Sequence, residues 1–128
     1  MSQVSERTTR TNIIRYYEVP FFTCREDAVK VVSDIRKIKD YDIREISITD
    51  TTDRFSEGAQ DSHFDGNSDE ERVSRALKSS GVNFVTVIGY YNGIRAVIGL
   101  DYDKFRIVIT TSKTKPADVA GIEKILDL

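Results

Sequence analysis

The side chains with the most obvious capacity for chemistry are one cysteine and one histidine. Cys24 follows Thr23 at the start of a predicted helix, where the partial positive charge of the helix N-terminus activates a thiol. The only histidine, His63, is remote in the sequence and lies in a polar stretch. A single Cys and a single His exclude an intramolecular disulfide, a cysteine-built zinc site and any site made of several histidines. We therefore predict no catalytic residues, no cofactor and no enzymatic activity.

The stretch 61–69 places oxygen-bearing side chains at alternate positions and a glycine at the sixth, as a calcium loop of the EF-hand type requires. Two departures argue against calcium. His63 replaces an oxygen ligand at the third position, and Arg72 stands where the bidentate glutamate belongs. We predict a polar loop without a metal, because Asp, Gly and Asn also suit ordinary turns.

The most unusual feature is a block of acidic residues. Residues 50–71 contain eight acids and one base, a charge of −7, whereas the whole chain has a net charge of −2 and the remainder therefore carries +5. Residues 51–67 form a 17-residue connection, far longer than the usual four to six. Phenylalanines interrupt the charges, as the buried anchors of a binding segment would. The residues predicted to contact a partner are Asp53, Phe55, Glu57, Asp61, Phe64, Asp65 and Asp69.

Three helices are predicted around this block. The first begins with a capping box at Thr23–Glu26, the second begins at Ser68 and ends at Gly81, and the third begins at Pro116. Apolar residues recur with the period of one helical face. They are Ala28, Val31, Val32, Ile35 and Ile38 in the first helix, Val73, Ala76 and Leu77 in the second, and Val119, Ile122, Ile125 and Leu126 in the third.

The strands are predicted with a register. Residues 12–19 and 43–49 read as strands, and Asn92-Gly93 between two alternating runs predicts a two-residue hairpin turn. This turn places Val85, Val87, Gly89 and Tyr91 on the same face as Leu100, Ile98, Ala96 and Ile94. A second turn at Tyr102-Asp103 is predicted to pair Leu100 with Phe105, which adds Phe105, Ile107 and Ile109 to that face.

These elements predict one α+β domain over residues 12–128, preceded by a flexible polar tail over residues 1–11 and carrying the acidic loop at 51–67. The expected order is β-α-β-α-β-β-β-α. The sheet is expected to be mixed, with a C-terminal antiparallel meander of three strands and with the helices packed on it.

The face of the meander opposite the core is half apolar, which is more than a solvated face needs. It carries Phe84, Tyr90, Arg95 and Arg106, the residues of an alternative binding surface on which nucleic-acid bases would stack. The acidic net charge argues against nucleic acid as the partner. The same surface is a candidate interface for a homodimer.

Composition limits the function classes further. Hydrophobic residues make up 39% and charged residues 31%, and no stretch resembles a secretory signal or a membrane span, so we expect a cytoplasmic protein without a membrane partner. We interpret the chain as a non-enzymatic protein-binding module whose acidic loop blocks a basic partner. An immunity or inhibitor-type protein directed against a nucleic-acid-processing toxin or nuclease is the concrete version.

Overall fold

The computed structural model describes residues 5–19, 26–50, 60–61, 71, 73, 82–101, 106–115 and 118–128. The elements in chain order are β1 (Ser5–Thr8), β2 (Asn12–Glu18), α1 (Glu26–Arg36), β3 (Tyr41–Asp50), β4 (Gln60–Asp61), β5 (Val82–Tyr91), β6 (Ile94–Asp101), β7 (Arg106–Ser112) and α2 (Ala120–Ile125). The α+β class expected from the sequence is confirmed.

The seven strands form one sheet in the order β1-β2-β7-β6-β5-β3-β4, and all neighbouring strands are antiparallel. The prediction of a mixed sheet is therefore wrong. Strands β2 and β3, which α1 connects, do run in the same direction. They are separated by the meander β5-β6-β7, so the crossover creates no parallel neighbours.

The hairpin between β5 and β6 has the predicted register. Tyr91 pairs with Ile94 across a turn in which Asn92 and Gly93 have φ values of 52° and 80°. Both central residues thus adopt the positive φ that a type I′ turn requires. The predicted pairs continue along both strands to Val85 and Leu100.

The predicted turn between β6 and β7 is wrong. Leu100 pairs with Ile107, and Asp101 pairs with Arg106, so four residues rather than two connect the strands. Opposite charges face each other across the last pair, which favours this register. A shift of two residues preserves the side-chain alternation, so Ile107 and Ile109 still lie on the predicted core face and are fully buried.

One face of the sheet, the core face, carries the buried apolar residues and the helices α1 and α2. From α1, Val31, Val32 and Ile35 join the core, and Ile38 joins it just beyond the end of the helix. From α2 and its flanks come Val119, Ile122 and Leu126. Ile125, predicted to belong to this apolar stripe, is instead 47% exposed.

The order of elements also differs from the expected one. Strand β1 forms within the predicted polar tail and pairs with β2, and strand β4 forms within the predicted acidic loop and pairs with β3. Of the predicted second helix, Glu71 and Val73 are described, both in helical conformation, and Val73 is fully buried. No helix in the described ranges is long and apolar enough to cross a lipid bilayer.

Candidate interaction surfaces

The acidic segment, residues 50–71, begins with the last residue of β3. Asp50 pairs with Gln60 and Thr49 pairs with Asp61, so the backbone before and after residues 51–59 is held at the same edge of the sheet. Of the seven predicted contact residues, Asp61 belongs to β4, the last strand at this edge. The other six, Asp53, Phe55, Glu57, Phe64, Asp65 and Asp69, lie outside the described residues.

The second candidate surface is the outer face of the sheet, defined by Phe84, Thr86, Ile88 and Tyr90 of β5 and the residues opposite them. The four predicted residues on this face fall into two groups. Tyr90 lies directly opposite Arg95, whereas Phe84 and Arg106 lie at the far end, each opposite Asp101. Phe84 and Tyr90 are six positions apart along β5, which corresponds to about 20 Å of strand.

At the far end the predicted residues are already engaged. The Arg106 guanidinium donates to Asp101 Oδ2 over 3.2 Å, and its carbon lies 4.9 Å from the centre of the Tyr16 ring. Phe84 lies over Gly99, where an added methyl carbon would be 2.9 Å from the ring. Asp101 itself is only 6% exposed. These contacts hold the end of the meander together.

The end of the outer face that carries Tyr90 and Arg95 is different, because these residues help to line a shallow groove of about 590 Å³. Arg44 lies 5.5 Å from the centre of the Tyr90 ring and forms an ion pair of 3.0 Å with Asp42. The Tyr90 side chain remains 39% exposed. The residues lining the groove are Asp40, Asp42, Arg44, Ile88, Tyr90, Gly93 and Arg95.

Backbone contacts fix the rim of the groove. The Asn92 N–H donates to the Asp40 carbonyl over 3.0 Å, which ties the connection before β3 to the hairpin turn. Asp40 itself has a φ of 65°, in the left-handed region that aspartate tolerates better than most residues. The turn that presents Asp40 is thus joined directly to the hairpin turn that precedes Arg95.

The core side of the same corner is closed by a buried tyrosine. Tyr41 passes beneath Gly89, where a methyl carbon would lie only 2.7 Å from the ring, and its hydroxyl donates to the Ala96 carbonyl over 2.6 Å. Burial raises the pKa of the Tyr41 phenol well above its ordinary value. The protonated Tyr41 hydroxyl therefore links β3 to β6 on the core face, directly behind the groove.

Asp40, Asp42 and Arg44 were not predicted from the sequence to belong to a site. Arg44 reaches Tyr90 because the register of β3 shifts between Ile43 and Glu45, which is a β-bulge. A signal for the bulge exists in the sequence. The core-facing residues of β3 are spaced by two except between Ile43 and Ile46, where the spacing is three.

The described residues contain little else that resembles a catalytic or metal site. Among them, no three His, Cys, Asp or Glu side chains lie close enough together to hold a metal ion. Cys24 and the possible calcium stretch around His63 lie outside the described residues, apart from the strand residue Asp61. Comparison of the chain with protein families, with curated proteins and with solved structures found no match.

Proposed function

We propose that this protein is a non-enzymatic binding module that recognises a basic protein partner through its acidic segment. The observation that carries the proposal is the attachment of a segment with a charge of −7 to one edge strand of an antiparallel sheet. A concentration of negative charge in one segment accelerates association with a basic surface. An immunity or inhibitor-type role against a nucleic-acid-processing enzyme fits this chemistry, because carboxylates can occupy a phosphate-binding surface.

The charge of the outer face supports the same choice. On the strands other than β4 this face carries four arginines and four carboxylates, namely Arg7, Arg44, Arg95 and Arg106 against Glu18, Asp42, Glu45 and Asp101. Arg44 and Arg106 are in ion pairs. A phosphate backbone gains most from an excess of positive charge. Nucleic-acid binding through Phe84, Tyr90, Arg95 and Arg106 therefore remains the less supported alternative.

The proposal is tested by capturing the partner with the full chain and then measuring its association with two matched variants. The triple variant Asp53→Asn, Glu57→Gln, Asp65→Asn removes three of the eight negative charges of the segment without changing its length. The control Glu18→Gln, Glu45→Gln, Asp118→Asn neutralises three exposed carboxylates elsewhere. We expect the first variant to slow association and to flatten its salt dependence, and the control to leave both unchanged.

The aromatic residues of the segment have a separate test. Replacing Phe55 or Phe64 by Ala should accelerate dissociation and cost roughly 2 kcal/mol or more of binding free energy if that side chain is an anchor. The proposal fails if the partner binds equally well when Thr52–Asn67 is replaced by a Gly/Ser linker in a folded protein. Binding of a single-stranded oligonucleotide at low salt, weakened by Tyr90→Ala, would support the alternative instead.

A further inference from the structure

We infer that the groove around Tyr90 is a contact surface for a second copy of this chain. The inference concerns a different surface from the acidic segment and goes beyond the proposed function. The two surfaces lie at opposite ends of β3, separated by about 25 Å of strand between Asp42 and Asp50.

The groove carries charged side chains that form no ion pair within the part of the chain that the structure describes. Arg95 on β6 is exposed and has no ion pair there, and neither has Asp40 on the rim next to β3. By contrast, Arg44 is paired with Asp42. The lining as a whole has two arginines and two aspartates, so it is neutral and matches neither a polyanion nor a polycation.

The arrangement of these charges is self-complementary. Asp42, Tyr90 and Arg95 are opposite one another on the successive strands β3, β5 and β6, so Tyr90 lies between an acidic side and a basic side. A two-fold axis lying between two facing copies, parallel to β5 at Tyr90, exchanges the two sides. It brings Arg95 of each copy over Asp40 and Asp42 of the other and stacks the two Tyr90 rings, as an isologous interface requires.

The uncharged part of the groove suits the same occupant. Tyr90 is 39% exposed and Ile88, two residues before it on the same face, is half-buried, so facing copies would remove apolar surface from water next to the ion pairs. Tyrosine and arginine are the residue types enriched at the centres of protein interfaces. Because the groove is one corner of the sheet, the contact is small, and we expect a weak dimer that forms with rising concentration.

The test is sedimentation velocity of the full chain over a wide concentration range, with charge reversals at the two facing positions. Arg95→Glu alone sets a carboxylate against Asp40 in both symmetry-related contacts, and Asp40→Lys alone sets an ammonium group against Arg95 in both, so each variant should be monomeric. An equimolar mixture of the two variants should form a mixed dimer again, because one contact then joins the two introduced side chains, which have opposite charges, and the other keeps the original Asp–Arg pair. Thermal melts establish that each variant is folded.

A second comparison keeps the inference testable if the reversal at the left-handed position Asp40 impairs folding. Tyr90→Ala should raise the dimer dissociation constant at least about tenfold. Ile125→Ala removes the other exposed large hydrophobic side chain of the described residues and should leave it unchanged. The inference is overturned if the chain is monomeric at every concentration, if dimerisation survives Tyr90→Ala and Arg95→Glu, or if the folded charge-reversal variants stay monomeric when mixed.

Discussion

The two faces of the sheet are built from the same strands and differ in how much of their side-chain surface is exposed to solvent. On the core face, α1 and α2 pack over side chains that are fully buried, namely Val85, Val87, Ile98, Ile107 and Ile109. On the outer face, Ile88, Val97 and Val108 are only half-buried, and charged residues occupy both ends. The core face therefore holds the fold together, whereas the outer face is available for contacts with other molecules.

The difference shows why alternation along a strand carries functional information. A face that is merely solvated needs no row of aliphatic residues, and a face that is fully buried tolerates no charged rim. The outer face has both. Its apolar centre and balanced charges are typical of a surface that meets another protein.

The largest contrast should come from one isoleucine on each face. Ile98→Ala empties a fully buried site and should destabilise the protein by about 2–5 kcal/mol, whereas Ile88→Ala, at a half-buried site, should cost about 1 kcal/mol. Urea unfolding of both variants measures the difference. Equal losses would mean that the outer face is as much a part of the core as the inner one.

Two glycines give a smaller contrast of the same kind. A methyl group at Gly89 would lie 2.6 Å from the backbone carbonyl oxygen of Asp42 and against the buried Tyr41 ring, so Gly89→Ala should cost about 1–3 kcal/mol. At Gly99 the closest neighbour of the methyl group is the Phe84 ring on the outer face, which can turn aside, and Val108 lies at an ordinary contact distance of 3.7 Å. Gly99→Ala should therefore cost less in a thermal melt, and the reverse order would contradict the assigned faces.

Substitutions at Gly93, in the hairpin turn that borders the groove, should destabilise the protein through backbone conformation and not through steric overlap. Nothing lies within 4 Å of a methyl group added at Gly93, but its φ of 80° disfavours any residue with a side chain. Gly93→Val should cost about 1–2 kcal/mol, and Gly93→Asn should cost less because asparagine adopts this region more readily. Indistinguishable melting temperatures for Val and Gly would rule out the two-residue turn.

Because two tyrosines are buried, we expect the protein to lose stability at alkaline pH. Burial raises the pKa of Tyr41, and burial together with a hydrogen bond to the Glu123 carboxylate raises the pKa of Tyr17. In the unfolded chain these phenols ionise near pH 10, whereas in the folded protein they stay protonated to higher pH. The free energy of unfolding therefore keeps its full value below about pH 10. Above pH 10 it falls by about 1.4 kcal/mol per pH unit for each tyrosine. Tyr41→Phe should make the decline measured by urea unfolding shallower, and an unchanged slope would contradict the assignment.

Local signals predicted local structure well. The Asn92-Gly93 turn followed from the positive φ that both positions must adopt, and the core residues of β6 and β7 followed from alternation, which survived the error of two residues at the second turn. The sheet order was not predictable in the same way, because no short-range pattern indicates that β2 lies beside β7 or that β1 and β4 extend the sheet. The groove was missed for a related reason, since it depends on a bulge that turns Arg44 toward Tyr90.

Our main proposal is that the acidic segment, and not the outer face of the sheet, recognises the protein partner. Hydrogen–deuterium exchange of the full chain, free and bound to its captured protein partner at equal concentration, tests this claim most directly. We expect the partner to slow exchange in peptides covering residues 51–67 and to leave exchange in peptides covering residues 84–97 unchanged. Protection confined to residues 84–97, with unchanged exchange over 51–67, would contradict it and assign partner binding to the outer face.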